Sequence, residues 1–147
     1  MKKTNKYLFL DIDGVMNSVA DNDLDGDICE RNILLLKQIV DKTNCTIIIS
    51  SAWRKMTKRY NNMCRKLCSY GIEIYDKTPS IDEGNRGDEI KLWLKSNNIE
   101  PVEELTFAVL DDEKVPDMRN HLVKTDYMYG LQQEHVNKVV EILNNGK

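Results

Sequence analysis

The chain has 147 residues, 41% of them hydrophobic and 31% charged, with 21 lysines and arginines against 24 acids and a net charge of −3. That length suits one domain over residues 1–147 with a single sizeable core, and the composition excludes a disordered polymer. No apolar run approaches the ~20 residues that span a bilayer, and the basic start Met1–Lys6 lacks the apolar core of a secretory signal, so a soluble, cytoplasmic protein is expected.

The first predicted element is a buried strand over about Tyr7–Asp11, whose apolar run stops at Asp11-Ile12-Asp13-Gly14. After a polar loop, Ile33, Leu36, Ile39 and Val40 mark one face of a helix over about Cys29–Lys42. The β-branched run Cys45–Ser50 reads as the second strand. A long helix over about Trp53–Tyr70 is expected to bury Met56, Tyr60, Met63, Cys64 and Leu67, with Gly71 as its stop. Ile72–Tyr75 reads as a short third strand. Asn85 is placed to cap a helix over about Arg86–Ser96, with Ile90, Trp93 and Leu94 on one face. A fourth strand, Thr106–Leu110, ends at Asp111-Asp112. A fifth covers His121–Thr125, and a last helix over about Gln132–Asn144 buries Val136, Val139, Val140 and Leu143. Strands alternating with helices predict an α/β fold, a parallel sheet of about five strands with helices on both faces. The loop after the first strand leaves no room for a separate lid, so the site should be open on one side.

The cysteines Cys29, Cys45, Cys64 and Cys68 form no Cys-x-x-Cys pair and there are two histidines, a poor basis for a zinc site. Cys64 and Cys68, at i,i+4 on the second helix, read as small packing residues, and a reduced setting fits. Charge is segregated. Arg54, Lys55, Lys58, Arg59, Arg65 and Lys66 run without an intervening acid, whereas acids gather at Asp21–Glu30 and Glu100–Asp117. Such a cationic face is usually only solvated, but here it begins beside strand ends that carry polar residues and can attract an anionic substrate.

Three predicted strands end in polar groups: Asp11/Asp13, Ser50/Ser51 and Asp111/Asp112. In a parallel sheet these ends share one edge, where ligands of open α/β folds bind. Carboxylates gathered there repel one another unless a cation or shared proton compensates. The set suits phosphoryl transfer. Asp11 can attack phosphorus to give an aspartyl-phosphate, and Asp13 can act as acid and then base. Asp11 and Asp111 can hold Mg²⁺, with Asp13 and Asp112 completing the expected acidic set; Asp111 is favoured over Asp112 for direct contact. Ser50 or Ser51 can donate to a phosphoryl oxygen, Ser50 being preferred because it directly follows its apolar run. Arg86, at a helix N-terminus, is the candidate cation, with Lys77 in reserve.

Asp11-x-Asp13-Gly14-Val15, Ser50 after an apolar strand, a basic residue, and Leu110-Asp111-Asp112 resemble, in order and spacing, the four motifs of the haloacid dehalogenase (HAD) superfamily. Ile49-Ser50-Ser51-Ala52-Trp53-Arg54, Arg86-Gly87-Asp88-Glu89-Ile90 with Trp93-Leu94, and Val123-Lys124-Thr125-Asp126 before Gly130-Leu131 look like the small capless HAD domains found alone or within RNA-repair proteins. The resemblance covers nearly the whole chain. It implies a Rossmann-like core without a large cap, Mg²⁺ dependence and phosphatase chemistry.

Other signals weigh less. Asp21-x-Asp23-x-Asp25-Gly26 imitates a calcium loop, but its twelfth position is Asn32 where a bidentate glutamate belongs, so a solvated acidic loop is expected. Trp53 reads first as a core wedge and second as a stacking surface for a base. Arg54 is open to a salt bridge near Asp111, Asn17 to a bond across the site or a loop role. His121 and Glu113 read as structural. The expected function is a Mg²⁺-dependent phosphomonoesterase acting on nucleic-acid or nucleotide phosphate ends, RNA or DNA, without a membrane partner. A phosphoprotein or small-metabolite phosphatase, or a low-turnover binding module on the same fold, are the alternatives.

Overall fold

The computed structural model describes residues 6–21, 27–81, 84–97, 106–115 and 117–145. In chain order the elements are β1 (Lys6–Leu10), α1 (Glu30–Thr43), β2 (Thr46–Ile49), a 3-10 turn (Ala52–Lys55), α2 (Thr57–Cys68), β3 (Ile74–Lys77), α3 (Arg86–Ser96), β4 (Thr106–Asp111), β5 (Leu122–Lys124) and α4 (Gln133–Asn145). The strands form one parallel sheet in the order β3-β2-β1-β4-β5. Central β1 is buried throughout Tyr7–Leu10, as a strand covered on both faces must be. This is a Rossmann-like α/β fold, with no cap among the described residues.

Side-chain alternation divides the core. Leu8, Leu10, Ile47, Ile49, Ala108 and Leu110 face α1, α2 and α4, where they meet Ile33, Leu36, Ile39, Met63, Leu67, Val136, Val139 and Leu143. Tyr7, Phe9, Ile48, Phe107 and Val109 face α3 and meet Ile90, Trp93 and Leu94. On that side Phe9 lies edge-on to both Trp93 and Phe107, at centroid distances of 5.7 and 5.9 Å. Each such pair adds ~1 kcal/mol beyond its buried area.

α3 begins and ends where its cap and apolar face predict, with Asn85 and Asp88 forming a reciprocal capping box. Most bounds lie within one residue of expectation, and two elements differ by more. The predicted helix Trp53–Tyr70 is broken, because the Ser51 hydroxyl caps Trp53 N–H and starts a separate 3-10 turn. Met56 then stands between the two pieces, 37% exposed rather than buried. β3 starts two residues later than the pattern Ile72–Tyr75 suggests. Gly71, at φ 81°, ends the helical segment, and Ile72 N–H returns to Leu67 O at 3.0 Å, so buried Ile72 closes the helix end instead of opening the strand. Cys68 is exposed, not packed, whereas Cys64 is half-buried. No helix among the described residues is long and apolar enough to cross a membrane.

Candidate active site

Parallel register sets the site. Leu10 lies opposite both Ile49 and Leu110, so Asp11, Ser50 and Asp111 stand side by side one position further on. Leu10, Ile49 and Leu110 face the three-helix side, and alternation therefore turns the next residue of each strand toward α3. Backbone bonds from Asp11 N to Leu110 O (3.0 Å) and Ser50 N to Leu10 O (2.9 Å) hold the row together. Arg86, the first residue of α3, reaches it from the same side. Its Nη1 donates to Asp111 Oδ2 at 2.7 Å and lies 3.4 Å from Asp11 Oδ1.

The acids are crowded. Asp11, Asp111 and Asp112 each bring a carboxylate oxygen within 4.8 Å of the others. Burial first, and the Asp111 charge second, push the Asp11 carboxyl from 3.8 up to about 8, against the opposing pull of Arg86. The Asp112 carboxyl is raised by burial and by Asp111. One arginine does not neutralise three carboxylates. The donors are all carboxylate oxygens, the set that a hard divalent ion such as Mg²⁺ takes. Gly14 makes the crowding possible: at φ 85°, a Cβ there would lie 2.4 Å from Asp112 Oδ2.

Asp13, expected among the metal ligands, stands apart from that trio. Its Oδ1 accepts from Asn17 Nδ2 at 2.9 Å and its Oδ2 from Trp53 Nε1 at 3.0 Å. Asn17 also accepts from Gly14 N–H (3.0 Å) and donates to Asp27 O, so it both shapes the loop and bonds within the site. Trp53 is 1% exposed: the core wedge and the site contact are the same residue, and its buried ring is no surface for a base.

The serines separate cleanly. Ser51 Oγ accepts from Trp53 N–H, whereas buried Ser50 Oγ has no hydrogen-bond partner among the described residues. A buried orphan hydroxyl beside paired strand ends is costly unless a ligand completes it. Lys77 takes no part in the acidic row; its Nζ donates to Arg54 O and lies 4.6 Å from the Tyr60 ring centroid. Arg54 pairs not with the acids around Asp111 but with Glu89, at 2.8 Å, both groups being buried, and its Nη1 donates to Ser51 O. Glu89 in turn lies 4.0 Å from Arg86 Nε. Glu89 and Thr125, whose hydroxyl donates to Gly14 O at 2.6 Å, carry no role in the sequence reading. Their only signal there was membership of the segments Arg86–Ile90 and Val123–Asp126. Asp21 bonds Arg31 and Ser18, and Asn32 bonds Met16 O, so these ends of the calcium-like stretch are structural; Asp23, Asp25 and Gly26 lie outside the described residues. His121 stacks on Phe107, and Glu113 is an exposed turn residue.

Two clefts lie on this part of the surface, one reaching the row at Asp111 and the other sharing Trp53, the partner of Asp13. One of about 330 Å³ is lined by Arg54, Lys55, Asn85, Arg86, Asp111 and Lys114, among others. A larger one of about 570 Å³ lies beyond Trp53, against Met56, Lys58, Arg59 and Asn62. A family model described as "HAD domain in Swiss Army Knife RNA repair proteins" matches residues 7–136. The chain belongs to that family. No curated protein and no solved structure matches it. Membership supports a HAD-type phosphohydrolase as the general class, and HAD domains generally use Mg²⁺, which the acidic trio fits.

Proposed function

We propose that this HAD domain is a Mg²⁺-dependent phosphomonoesterase that works through an aspartyl-phosphate and acts on phosphorylated nucleic-acid ends. The observation that carries the reading is the orphan Ser50 hydroxyl in register with Asp11 and Asp111, the two carboxylates that Arg86 reaches. Asp11, Asp111 and Asp112 would hold the ion, which when bound offsets carboxylate charge and polarises the phosphoryl group. Ser50 Oγ donates to one phosphoryl oxygen, and Arg86 balances charge developing on the group. Asp11 Oδ attacks phosphorus, and the bond to the leaving oxygen breaks as Asp13 delivers a proton to it. Asp13 then takes a proton from a water that attacks the aspartyl-phosphate, releasing inorganic phosphate and restoring Asp11.

The nucleic-acid preference draws on the described family and on the clefts lined by Lys55, Lys58, Arg59 and Lys114 beside a site without a cap among the described residues. Phosphate release from 3′- and 5′-phosphorylated oligonucleotides, mononucleotides and phosphopeptides, with and without Mg²⁺, tests it. The expected result is Mg²⁺-dependent turnover with oligonucleotide ends preferred. Preference for phosphopeptides or mononucleotides would replace the substrate class, and absence of turnover across the panel would favour a binding module.

A further inference from the structure

The chain has two tryptophans, and each donates its indole N–H to an aspartate. Trp93 Nε1 reaches Asp76 Oδ2 at 2.8 Å and ties α3 to β3, away from the acidic row. Trp53 Nε1 reaches Asp13 Oδ2 at 3.0 Å, across 40 residues of sequence. Its ring is almost fully buried in the core with Met63, and the Arg59 guanidinium lies 5.2 Å from its centroid. The other Asp13 oxygen is held by Asn17, itself fully buried and fixed by Gly14 N–H and Asp27 O. A half-buried carboxylate is thus gripped at both oxygens by rigid neutral donors. Each oxygen keeps a second lone pair for a proton in transit. An indole N–H can donate but not accept, so Trp53 cannot itself exchange the proton.

Resting on the aspartyl-phosphate reading, we propose that Trp53 is a positioning residue: its indole N–H fixes the Asp13 carboxylate so that one oxygen meets the leaving-group oxygen. Proton transfer depends steeply on placement, so loss of this donor falls on both steps in which Asp13 moves a proton and not on substrate binding; of the two, only phosphoenzyme formation varies with the leaving group. The requirement grows with the basicity of the leaving group. Alkyl phosphates need the proton, whereas a nitrophenyl phosphate departs with little help.

The test compares Trp53→Phe, Trp93→Phe, Asp13→Asn, Trp53→Phe/Asp13→Asn and Asp11→Asn on a series from nitrophenyl to alkyl phosphates, with phosphoenzyme formation and breakdown timed separately, KM determined and thermal unfolding recorded for each. Replacement of Trp53 by benzothienylalanine, which keeps the ring shape and removes only the N–H, serves if the phenylalanine variant folds poorly. The expected loss in the rate of phosphoenzyme formation is about tenfold or more for alkyl phosphates and at most about twofold for nitrophenyl phosphate, while breakdown of the aspartyl-phosphate, where Asp13 acts as base, slows by the same factor for all. In the Asp13→Asn background the same replacement should add nothing to the rate of phosphoenzyme formation. Trp93→Phe should lower stability without any leaving-group dependence. An equal loss in phosphoenzyme formation for all leaving groups, or a full additional loss of that rate in the Asp13→Asn background, overturns the positioning role while leaving the nucleophile intact. Turnover that survives Asp11→Asn overturns both that role and the reading beneath it.

Discussion

Asp11 and Asp13 are two residues apart, yet their surroundings are opposites. Asp11 sits in a buried row of like charges, compensated only in part by Arg86, and its carboxyl is pushed up to about 8. Asp13 leaves the strand direction at the turn before Gly14 and, among the described residues, its hydrogen-bond donors are neutral, an amide and an indole. The contrast follows from register and from the loop. Parallel pairing aligns Asp11 with Ser50 and Asp111, whereas Asp13 lies past the last ladder bond and is free to face the opposite wall. One short segment therefore supplies a group that needs a cation and a group that needs only orientation. That is the division of labour a nucleophile and an acid/base require.

Replacing Asp11 with Asn is the most severe way to break the contrast. On the proposed mechanism, turnover of any phosphomonoester should fall at least about a thousandfold, since the attacking oxygen and one ion ligand would be lost together. Stability should move the other way. A carboxyl whose pKa is raised on folding holds a proton that the unfolded chain has released, so folding is penalised increasingly from about pH 4, near its ordinary value of 3.8, to about pH 8, its value in the fold. Asparagine removes that penalty. With a chelator present, the variant's Tm advantage should be nil near pH 4, grow toward pH 8 and then level off, reaching about 4 °C for each kcal/mol relieved. A pH-independent Tm difference would show that the acidic row is not strained as described.

Much of this was legible in the sequence, for a physical reason. Strand ends are local: apolar runs stopping at Asp11, Ser50 and Asp111 mark one sheet edge once the fold is parallel. The Asn85 cap and the Ile90, Trp93, Leu94 face fixed α3 and hence Arg86. What stayed hidden depends on partners distant in sequence. Glu89 lies on a helix and looks solvated until Arg54, from the β2 side, buries it. Thr125 matters only because β5 brings it to Gly14, 111 residues away. The break at Met56 was unreadable because amphipathic periodicity runs through it, while a single side-chain cap at Ser51 redirects the chain.

The serine pair sharpens the comparison at smaller scale. Ser50→Ala removes the orphan hydroxyl on the α3 side and should lower kcat/KM by roughly ten- to a hundredfold with Tm nearly unchanged, because no protein bond is lost. Ser51→Ala removes the cap on Trp53 N–H and should cost ~1 kcal/mol of stability. Its kinetic cost should resemble that of Trp53→Phe, greatest for alkyl leaving groups, since the turn that carries Trp53 loosens. Activity equally sensitive to both serines, for every leaving group, would mean that both hydroxyls face the phosphoryl group.

The smallest effect concerns the cations, which do not form the single face that their sequence suggests. Arg54 is buried against Glu89, and Lys66 is held by Asp27 and Ile28 O. Arg65 bonds Asn62, and Arg59 covers the Trp53 ring. Lys55 and Lys58 remain exposed, one on each of the two clefts. Charge reversal at these two, sparing Arg59 because it rests on the ring that holds Asp13, should raise KM for a phosphorylated oligonucleotide several-fold. Two lost phosphate contacts should also flatten the dependence of log binding on log salt by about 1.4, the single-strand slope per contact being ~0.7. Nitrophenyl phosphate, too small to reach both clefts, should keep its kcat and KM. Oligonucleotide KM and salt slope equal to the parent's would mean that these lysines are only solvated, and the preference for nucleic-acid ends would then need another surface to carry it.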